Sequence, residues 1–415
     1  MGIIQSIRKF GLDYCDLPTM VWNIGVMLRL VTLNVDPRHK KGIPIIFYII
    51  TFLTACSFYY AYLISSLWFL FVRTRETKNM VLGMVGFSIS LCSEIGPTKL
   101  FFLIMNRKEI RTLIGKCLEL DSHVIPGSRF HKNLMKKMRN VKKRYMFFWT
   151  VVTCNGLLYI IRPIFLSGRH SLDDNFVYYG LEPILETPNY EISYIIGTTS
   201  TIYVLHLTTN ITGLLITLTG YAESQIISLG EEFQELWNDA EKHYQEIART
   251  NDAPETTNDE RAINIKNEYI KRQLHHLINM HIATTQILRD TELVFRGALA
   301  AEFVLLILSL IAELLGGLNN TYLQVVYGFI IVGMDCLAGQ RIMDAGVTFQ
   351  KSVYECNWEN FNARNMKTIW MIILNSQKPL NLSAGGLAML NLGILMTFAR
   401  SIYSAYTAFS SRVSH

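Results

Sequence analysis

Six charged side chains interrupt long apolar stretches of this sequence. They are Glu94, Lys99, Glu302, Glu313, Asp335 and Arg400. A charge in apolar surroundings is costly unless it is paired or meets water, so such residues often mark ion paths or binding sites. Two interpretations stay open. The charges pair with one another inside a helix bundle, or they form a polar path for ions.

A narrow stripe of small and polar residues lies near the carboxyl end. Ser401, Ser404, Ala408 and Ser411 recur at the spacing of one helix face, and the rest of that helix is apolar. Small residues in membrane helices commonly allow two helices to pack closely. The same stripe could instead face water. Spacing alone leaves both interpretations open.

Aromatic and hydroxyl side chains recur in four other apolar stretches. They are Phe87, Ser88, Tyr159, Tyr194, Thr198, Thr201, Tyr322 and Tyr327. An apolar cavity with a few polar groups is how small hydrophobic ligands are bound. Tyrosine also collects at the membrane interface, which would give it the same placement.

The motifs of soluble enzymes do not occur in this sequence. It has no phosphate-binding glycine loop, no dinucleotide-binding glycine pattern after a strand and no H-E-x-x-H zinc motif. His275, His276 and His281 cluster without a carboxylate or cysteine at ligand spacing. The seven cysteines lie in apolar or basic segments, which favours interior packing over disulfides. We predict no enzymatic activity, no cofactor and no metal site.

The composition indicates a polytopic membrane protein that positions these residues. Half of the residues are hydrophobic and only 17% are charged, against roughly a quarter in soluble proteins. Apolar runs of about 20 residues are long enough to cross a ~30 Å hydrocarbon core. We predict an all-α protein with seven transmembrane helices, at 44–71, 80–104, 146–168, 193–221, 294–316, 321–341 and 384–409.

The distribution of basic residues gives these spans a direction. Lys and Arg concentrate in 1–43, 105–145, 222–293 and 342–383, and the alternate loops carry few. Because basic loops stay in the cytosol, the topology is inverted, with a cytosolic amino terminus and an extracellular carboxyl terminus. Asn319 begins an N-x-T glycosylation acceptor in a loop placed outside. The net charge of +6 belongs to this orientation signal, and we predict no nucleic-acid partner.

Four segments follow from this topology. Residues 1–43 form a cytosolic or interfacial segment, whose amphipathic stretch 19–35 is expected to lie along the membrane surface. Residues 44–341 hold spans one to six, with long cytosolic helical extensions at 222–293 that are broken by the polar stretch 250–260. Residues 342–383 are cytosolic and include a helix over 353–374. Residues 384–415 form span seven and a tail. The cytosolic helices together predict a layer below the membrane.

Seven spans invite comparison with G-protein-coupled receptors, but the charge bias is inverted, and neither D-R-Y after span three nor N-P-x-x-Y in span seven occurs. The segment SQKPLNLSAGG at 376–386 resembles the start of the last span in insect odorant receptors. FARSIYSAYTAF at 398–409 resembles that family's closing helix, and YECNW at 354–358 its cytosolic run. Ala405 replaces a usual aromatic, and Arg400 stands near a common lysine. The T-Y-x5-Q-F signature of gustatory receptors is absent.

The resemblance implies the odorant-binding subunit of a ligand-gated, non-selective cation channel. Such subunits form a heterotetramer with an odorant co-receptor in the plasma membrane of sensory dendrites and detect small volatile apolar molecules. The compact second cytosolic loop resembles a tuning subunit rather than the co-receptor. The cytosolic helices resemble the family's anchor domain, where most contacts between subunits form. The alternative is a metabotropic seven-helix chemoreceptor that signals through G proteins.

The resemblance also assigns roles to residues. The family's last helix lines the pore, which favours a lining role for Ser401, Ser404, Ala408 and Ser411. The family's ligand pocket lies among the outer halves of spans two, three, four and six. The aromatic and hydroxyl residues named above occupy those halves, and the same spans add Met84, Leu91 and Ile202.

Overall fold

The computed structural model describes residues 8–174, 176–250 and 259–413, which fold mostly into helices. In chain order these are α1 (Leu17–Leu30), α2 (Ile45–Thr77), α3 (Met80–Met105), α4 (Arg107–Ser122), α5 (Arg129–Ile161), α6 (Asn189–Gln234), α7 (Leu236–Thr250), α8 (Asp259–Leu315), α9 (Leu318–Tyr354), α10 (Ala363–Ser376) and α11 (Leu392–Val413). A small hairpin of β1 (Ser383–Ala384) and β2 (Ala388–Met389) precedes α11. The predicted all-α class is confirmed.

Within these residues, six helices are long and apolar enough to cross a membrane: α2, α3, α5, α6, α8 and α9. They match the first six predicted spans. With 46 and 57 residues, α6 and α8 are about 70 and 85 Å long. Both exceed a ~30 Å hydrocarbon core, so each continues well beyond its apolar stretch, as the sequence predicted.

Helix α6 is the central helix of the bundle and is buried along most of its length. Glycines let α5 approach it closely. A Cβ on Gly213 would lie 2.3 Å from the ring of Tyr145, and one on Gly220 would lie 2.3 Å from Val141. Small residues allow this kind of close packing between membrane helices. Elsewhere, five cysteines are buried as predicted, whereas Cys56 and Cys154 are exposed on α2 and α5.

The amino-terminal helix α1 has 14 residues and is about 21 Å long, too short to span the membrane. Asp16 caps its first turn by accepting a hydrogen bond from the Thr19 backbone amide. Its apolar face packs against α6, and His206 of α6 contacts the Met27 carbonyl at 2.9 Å. The amphipathic stretch is therefore part of the protein core on one side.

The segments that the sequence assigns to the cytosol differ from the prediction at one place. The helix predicted over 353–374 is broken, because α9 ends at Tyr354 and Asn357 takes a left-handed φ of 54°. A new helix, α10, then begins behind Asn362, whose side chain caps the Asn365 amide. On the other side, α7 packs against α8. The polar break predicted at 250–260 lies mostly outside the described residues.

The last predicted span does not begin as a helix at 384. Gly385 and Gly386 adopt φ of 67° and 76°, which L-residues avoid, and they turn the chain into the β1–β2 hairpin. Asn391 then caps α11, since its Oδ1 accepts a hydrogen bond from the Ile394 amide at 2.7 Å. The structure moves the start of the helix from 384 to Leu392.

Candidate functional site

A cavity of about 70 Å³ lies between α2, α3, α5, α6 and α9. Its lining is formed by Tyr62, Ile89, Cys92, Ser93, Asn155, Gly156, Tyr159, Thr201, Val204, Leu205, Leu323, Gln324 and Tyr327. No charged side chain belongs to this lining. Burial in such a cavity would retain neutral, largely apolar molecules and reject ions.

Local backbone features shape the cavity. A π-helical turn at Tyr60–Ile64 lies in α2, and Tyr62 within it donates to or accepts from Thr201 Oγ1 at 3.1 Å. π-helical turns are often found at functional sites. On the opposite wall, a Cβ on Gly156 would lie 2.1 Å from Leu205 Cδ1. The Leu205 side chain therefore occupies the notch that glycine leaves in α5.

A few polar groups interrupt the apolar wall. Tyr327 OH lies 2.8 Å from Thr208 Oγ1, which joins α9 to α6 beneath the cavity. Asn155 donates to the Leu323 carbonyl at 3.3 Å, and Gln324 adds a second amide to the lining. A small ligand with one hydrogen-bonding group fits this arrangement, because a few polar groups fix orientation while apolar contacts supply most of the binding.

The size of the cavity limits what enters without rearrangement. Its volume of about 70 Å³ is roughly half of the 150 Å³ of an engineered apolar cavity that binds benzene. Several water molecules would fill the present space. A ring-sized or longer ligand therefore requires side chains such as Leu205 to move, so binding is coupled to a change in the bundle.

Three of the sequence-predicted ligand residues line the cavity: Tyr159, Thr201 and Tyr327. The others lie around it. Ser88 is fully buried, and its hydroxyl donates to the Val85 carbonyl at 2.7 Å. The Tyr194 hydroxyl donates to the Ile160 carbonyl at 2.7 Å.

The remaining predicted residues are partly or largely exposed. Ile202 and Tyr322 are 54% and 43% exposed. Met84, Phe87, Leu91 and Thr198 are partly buried outside the lining. The structure thus gathers three candidates into one cavity and leaves eight outside its wall.

Sequence reasoning missed the remaining lining residues. Val204 and Leu205 follow Thr201 by about one helical turn, and Leu323 and Gln324 precede Tyr327 by a similar distance. Extending each candidate by one turn along its own helix face would have found them. Tyr62 carried no such signal, because a π-helical turn changes the face on which a residue lies.

A second, polar cavity of about 50 Å³ adjoins the first and shares Tyr159, Leu323 and Gln324 with it. Arg162, Asp173, Asp174 and Asn320 also line it, together with part of the loop between α5 and α6. Arg162 packs over the ring of Tyr322 at 5.6 Å. The three shared residues therefore separate a polar vestibule from the apolar cavity.

The charges within the apolar stretches pair inside the bundle where the structure shows partners. Lys99 Nζ lies 2.7 Å from Glu302 Oε1 and 3.4 Å from Asp335 Oδ2. Glu313 accepts a hydrogen bond from Ser309 at 2.8 Å. Arg400, by contrast, is exposed on α11. Lys99, Glu302 and Asp335 therefore pair with one another and do not form an open polar path.

The stripe on α11 is exposed in the single chain. Ser401, Ser404 and Ala408 face away from the bundle, and the side chain of Ser411 lies outside the described residues. Phe398 and Ile402 are buried on the other face, where the Phe398 and Phe303 rings meet at 5.6 Å. Asn319 is exposed near the start of α9. The helix thus presents its small and polar face outward.

A larger cavity of about 690 Å³ lies between α8, α9 and α10, and Arg289, Glu292 and Lys378 are among its lining residues. It lies in the segments that the sequence assigns to the cytosolic layer. Its charged lining suits a small volatile molecule less well than the uncharged cavity does. Across the described residues, no group of three or more His, Cys, Asp or Glu side chains could hold a metal ion.

Comparisons with known proteins agree with this geometry. Residues 79–403 match the family model of the 7tm Odorant receptor. Odorant receptor 30a of Drosophila melanogaster is 39% identical over 56 residues, which cover 14% of this chain and only 15% of that receptor. The structure of the insect olfactory receptor OR5 from Machilis hrabei in complex with eugenol has the same fold. Its TM-score is 0.73 at 14% identity, over 96% of this chain and 99% of that one. A second structure of OR5 from Machilis hrabei gives a TM-score of 0.70 over the same shares.

Proposed function

This chain belongs to the 7tm odorant receptor family, and from that premise we propose that it is the odorant-binding subunit of a ligand-gated, non-selective cation channel. It assembles as a heterotetramer with the insect odorant co-receptor in the plasma membrane of sensory dendrites. Its ligand is a small, volatile, mostly apolar molecule. The observation that carries this proposal is the uncharged cavity between α2, α3, α5, α6 and α9.

The cavity supports a binding role through its chemistry. The ligand is held mainly by burial against Ile89, Val204, Leu205 and Leu323, with hydroxyl and amide groups available for one polar atom. Tyr159, Thr201 and Tyr327 contact it directly. The outer residues predicted from the sequence act on the shape of the cavity or on access to it.

The proposed topology has seven crossings. Helix α11, with 22 residues, is the seventh, the amino terminus is cytosolic and the carboxyl terminus is extracellular. Epitope tags at each end test this, because only the carboxyl-terminal tag would be stained on intact cells. Loss of a glycosidase-sensitive mass shift in Asn319→Gln would support an outer position for the loop before α9. A stained amino-terminal tag would contradict it.

Channel opening follows from a difference in affinity. A ligand shifts the closed–open equilibrium only if it binds the open state more tightly. Because the cavity must enlarge for a ring-sized ligand, its walls move, and the movement reaches α11 through α9, which lines the cavity and packs against α11. In the tetramer, the outward face with Ser401, Ser404, Ala408 and Ser411 lines the pore, where small polar side chains let hydrated cations pass.

Voltage clamp of cells that express this chain with the co-receptor tests the proposal. We expect odorant-evoked inward current that persists when G-protein signalling is blocked. Its disappearance under the block would favour the metabotropic alternative. Val204→Phe adds a ring to the cavity and is expected to lower the odorant response at least tenfold. Val326→Phe, at a 46% exposed position of α9, is the matched control and should respond like the wild type.

A further inference from the structure

One basic and two acidic side chains meet inside the bundle, and none of the three belongs to the lining of the ligand cavity. Lys99 of α3 lies between Glu302 of α8 and Asp335 of α9, with Nζ–O distances of 2.7 and 3.4 Å. Lys99 Nζ also donates to Thr212 Oγ1 of α6 at 2.9 Å. The side chains of Lys99, Glu302 and Asp335 are 3%, 0% and 0% exposed. The cluster therefore joins four helices without contact with solvent.

The charges of this cluster do not balance. One ammonium faces two carboxylates, which leaves one negative charge in a buried place. Glu302 Oε2 and Asp335 Oδ1 are buried and have no hydrogen-bond partner among the described residues. The other titratable neighbours are the Tyr327 phenol and the Cys336 thiol, and neither can carry a positive charge. An uncompensated buried charge is strongly unfavourable.

We propose that Lys99, Glu302 and Asp335, with Thr212, form a binding site for one exchangeable monovalent cation. The cation neutralises the second carboxylate, and it is either a proton or sodium. A proton would bind one carboxyl oxygen and let that group donate a hydrogen bond to the other carboxylate. Sodium would take the two unpartnered oxygens as ligands, since carboxylate oxygens suit hard cations.

The position of the site links its occupancy to the last helix. Glu302 is followed by Phe303, whose ring meets Phe398 of α11. Asp335 is followed by Cys336, whose thiol faces the backbone of Asn391, the capping residue of α11. A change in the distance between the two carboxylates would therefore shift both the Phe303–Phe398 contact and the Cys336–Asn391 contact. The site itself does not depend on the proposed odorant response.

The test measures the melting temperature of the purified full chain in detergent. It is recorded across a pH series, and with sodium replaced by choline at constant ionic strength. We expect wild-type stability to depend on pH if the cation is a proton and on sodium if it is the metal. In E302Q or D335N an amide replaces one carboxylate, so at least one of them should lose that dependence and melt within about 2 °C of the wild type.

The double variant E302Q/D335N leaves the Lys99 ammonium unmatched, and K99M leaves both carboxylates unmatched. Each should melt roughly 3–6 °C lower. The control is D290N, at the one-to-one pair of Lys116 and Asp290, whose charged atoms are 2.7 Å apart and which, unlike the cluster, is partly exposed. It should leave both the melting temperature and its ion dependence nearly unchanged.

Three results would overturn the proposal. The wild type could show neither pH nor sodium dependence. Both single amide variants could retain the wild-type dependence, which would place its source elsewhere. Both could also melt as low as the double variant, which would mean that each carboxylate is needed as an anion. All three are read without measuring any current, so a failure here is distinct from a failure of the proposed channel function.

Discussion

Truncating Leu205 should change the length of ligand that the receptor prefers. Leu205 lines the cavity, and its methyl groups fill the notch beside Gly156. Leu205→Ala removes three carbon atoms from the wall. In wild type the cavity is only about 70 Å³, so ligand carbons compete with this side chain for space.

The size of the effect follows from apolar burial. Each buried methylene contributes about 0.8 kcal/mol, so three additional ligand carbons contribute about 2.4 kcal/mol. That corresponds to roughly 60-fold in affinity at 25 °C. We expect Leu205→Ala to move the optimum of a homologous series of alcohols or esters two to three carbons longer. The gain in potency there should reach at most about 60-fold, and short members should lose potency.

The assay is a concentration–response series by voltage clamp in cells that express the co-receptor, with surface labelling to correct for expression. Leu158→Ala is the matched control, because Leu158 is 61% exposed on α5. An unchanged optimum in Leu205→Ala would refute the assignment of this cavity as the ligand site. An equal shift in Leu158→Ala would refute it as well, because the effect would then be unrelated to the cavity wall.

Three further predictions concern contacts around the site, in α4 and next to α11. A double-mutant cycle of Tyr327→Phe and Thr208→Val should give a coupling of about 0.6 kcal/mol and not above about 1.7, measured from denaturation in detergent. Burial raises the pKa of Asp121 to about 6, above about 3.9 in the unfolded chain, so its ionisation lowers stability as pH rises from about 4 through 6. Asp121→Asn should remove up to roughly 3 kcal/mol of this loss at pH 7, seen as a flatter melting temperature against pH. Gly339→Ala should weaken gating and lower stability, because its Cβ would lie 2.1 Å from the backbone carbonyl oxygen of Leu390, just before α11. Gly333→Ala is the control and should change neither, because open space surrounds that position.

The long helices were predictable from the sequence because one property defines them. Apolar runs of sufficient length predicted the six described helices that could cross a membrane, and the helical pattern of apolar residues among polar ones after 222 predicted that two of them continue further. Boundaries that depend on single backbone conformations were not predictable. The left-handed Asn357 ends one helix, and Gly385 with Gly386 delays another, although nothing in the apolar pattern changes at those points.

The sequence indicated the region in which the candidate site lies, but not which residues line its cavity. Hydroxyl and aromatic residues in several predicted spans indicated where a cavity would lie, and Tyr159, Thr201 and Tyr327 line it. The facing direction of each residue depends on helix rotation, which packing decides. Ser88, for example, is buried outside the cavity lining, and its hydroxyl donates to the Val85 carbonyl of its own helix. The acidic partners of Lys99 could not be identified from the sequence either, because Glu302 and Asp335 lie more than 200 positions away along the chain.

Recording from excised outside-out patches would show whether the receptor complex is itself a channel. The patches contain this chain and the co-receptor, and the pipette solution, which meets the cytosolic face, contains no nucleotide, so that G-protein signalling cannot operate. We expect odorant-evoked single-channel openings. In Ser404→Cys, a cationic thiol reagent applied outside should reduce the current. The current of the wild type should not change, even though Cys56 and Cys154 are exposed. Absence of openings without nucleotide would contradict the channel, and an unaffected Ser404→Cys current would contradict the pore-lining role of α11.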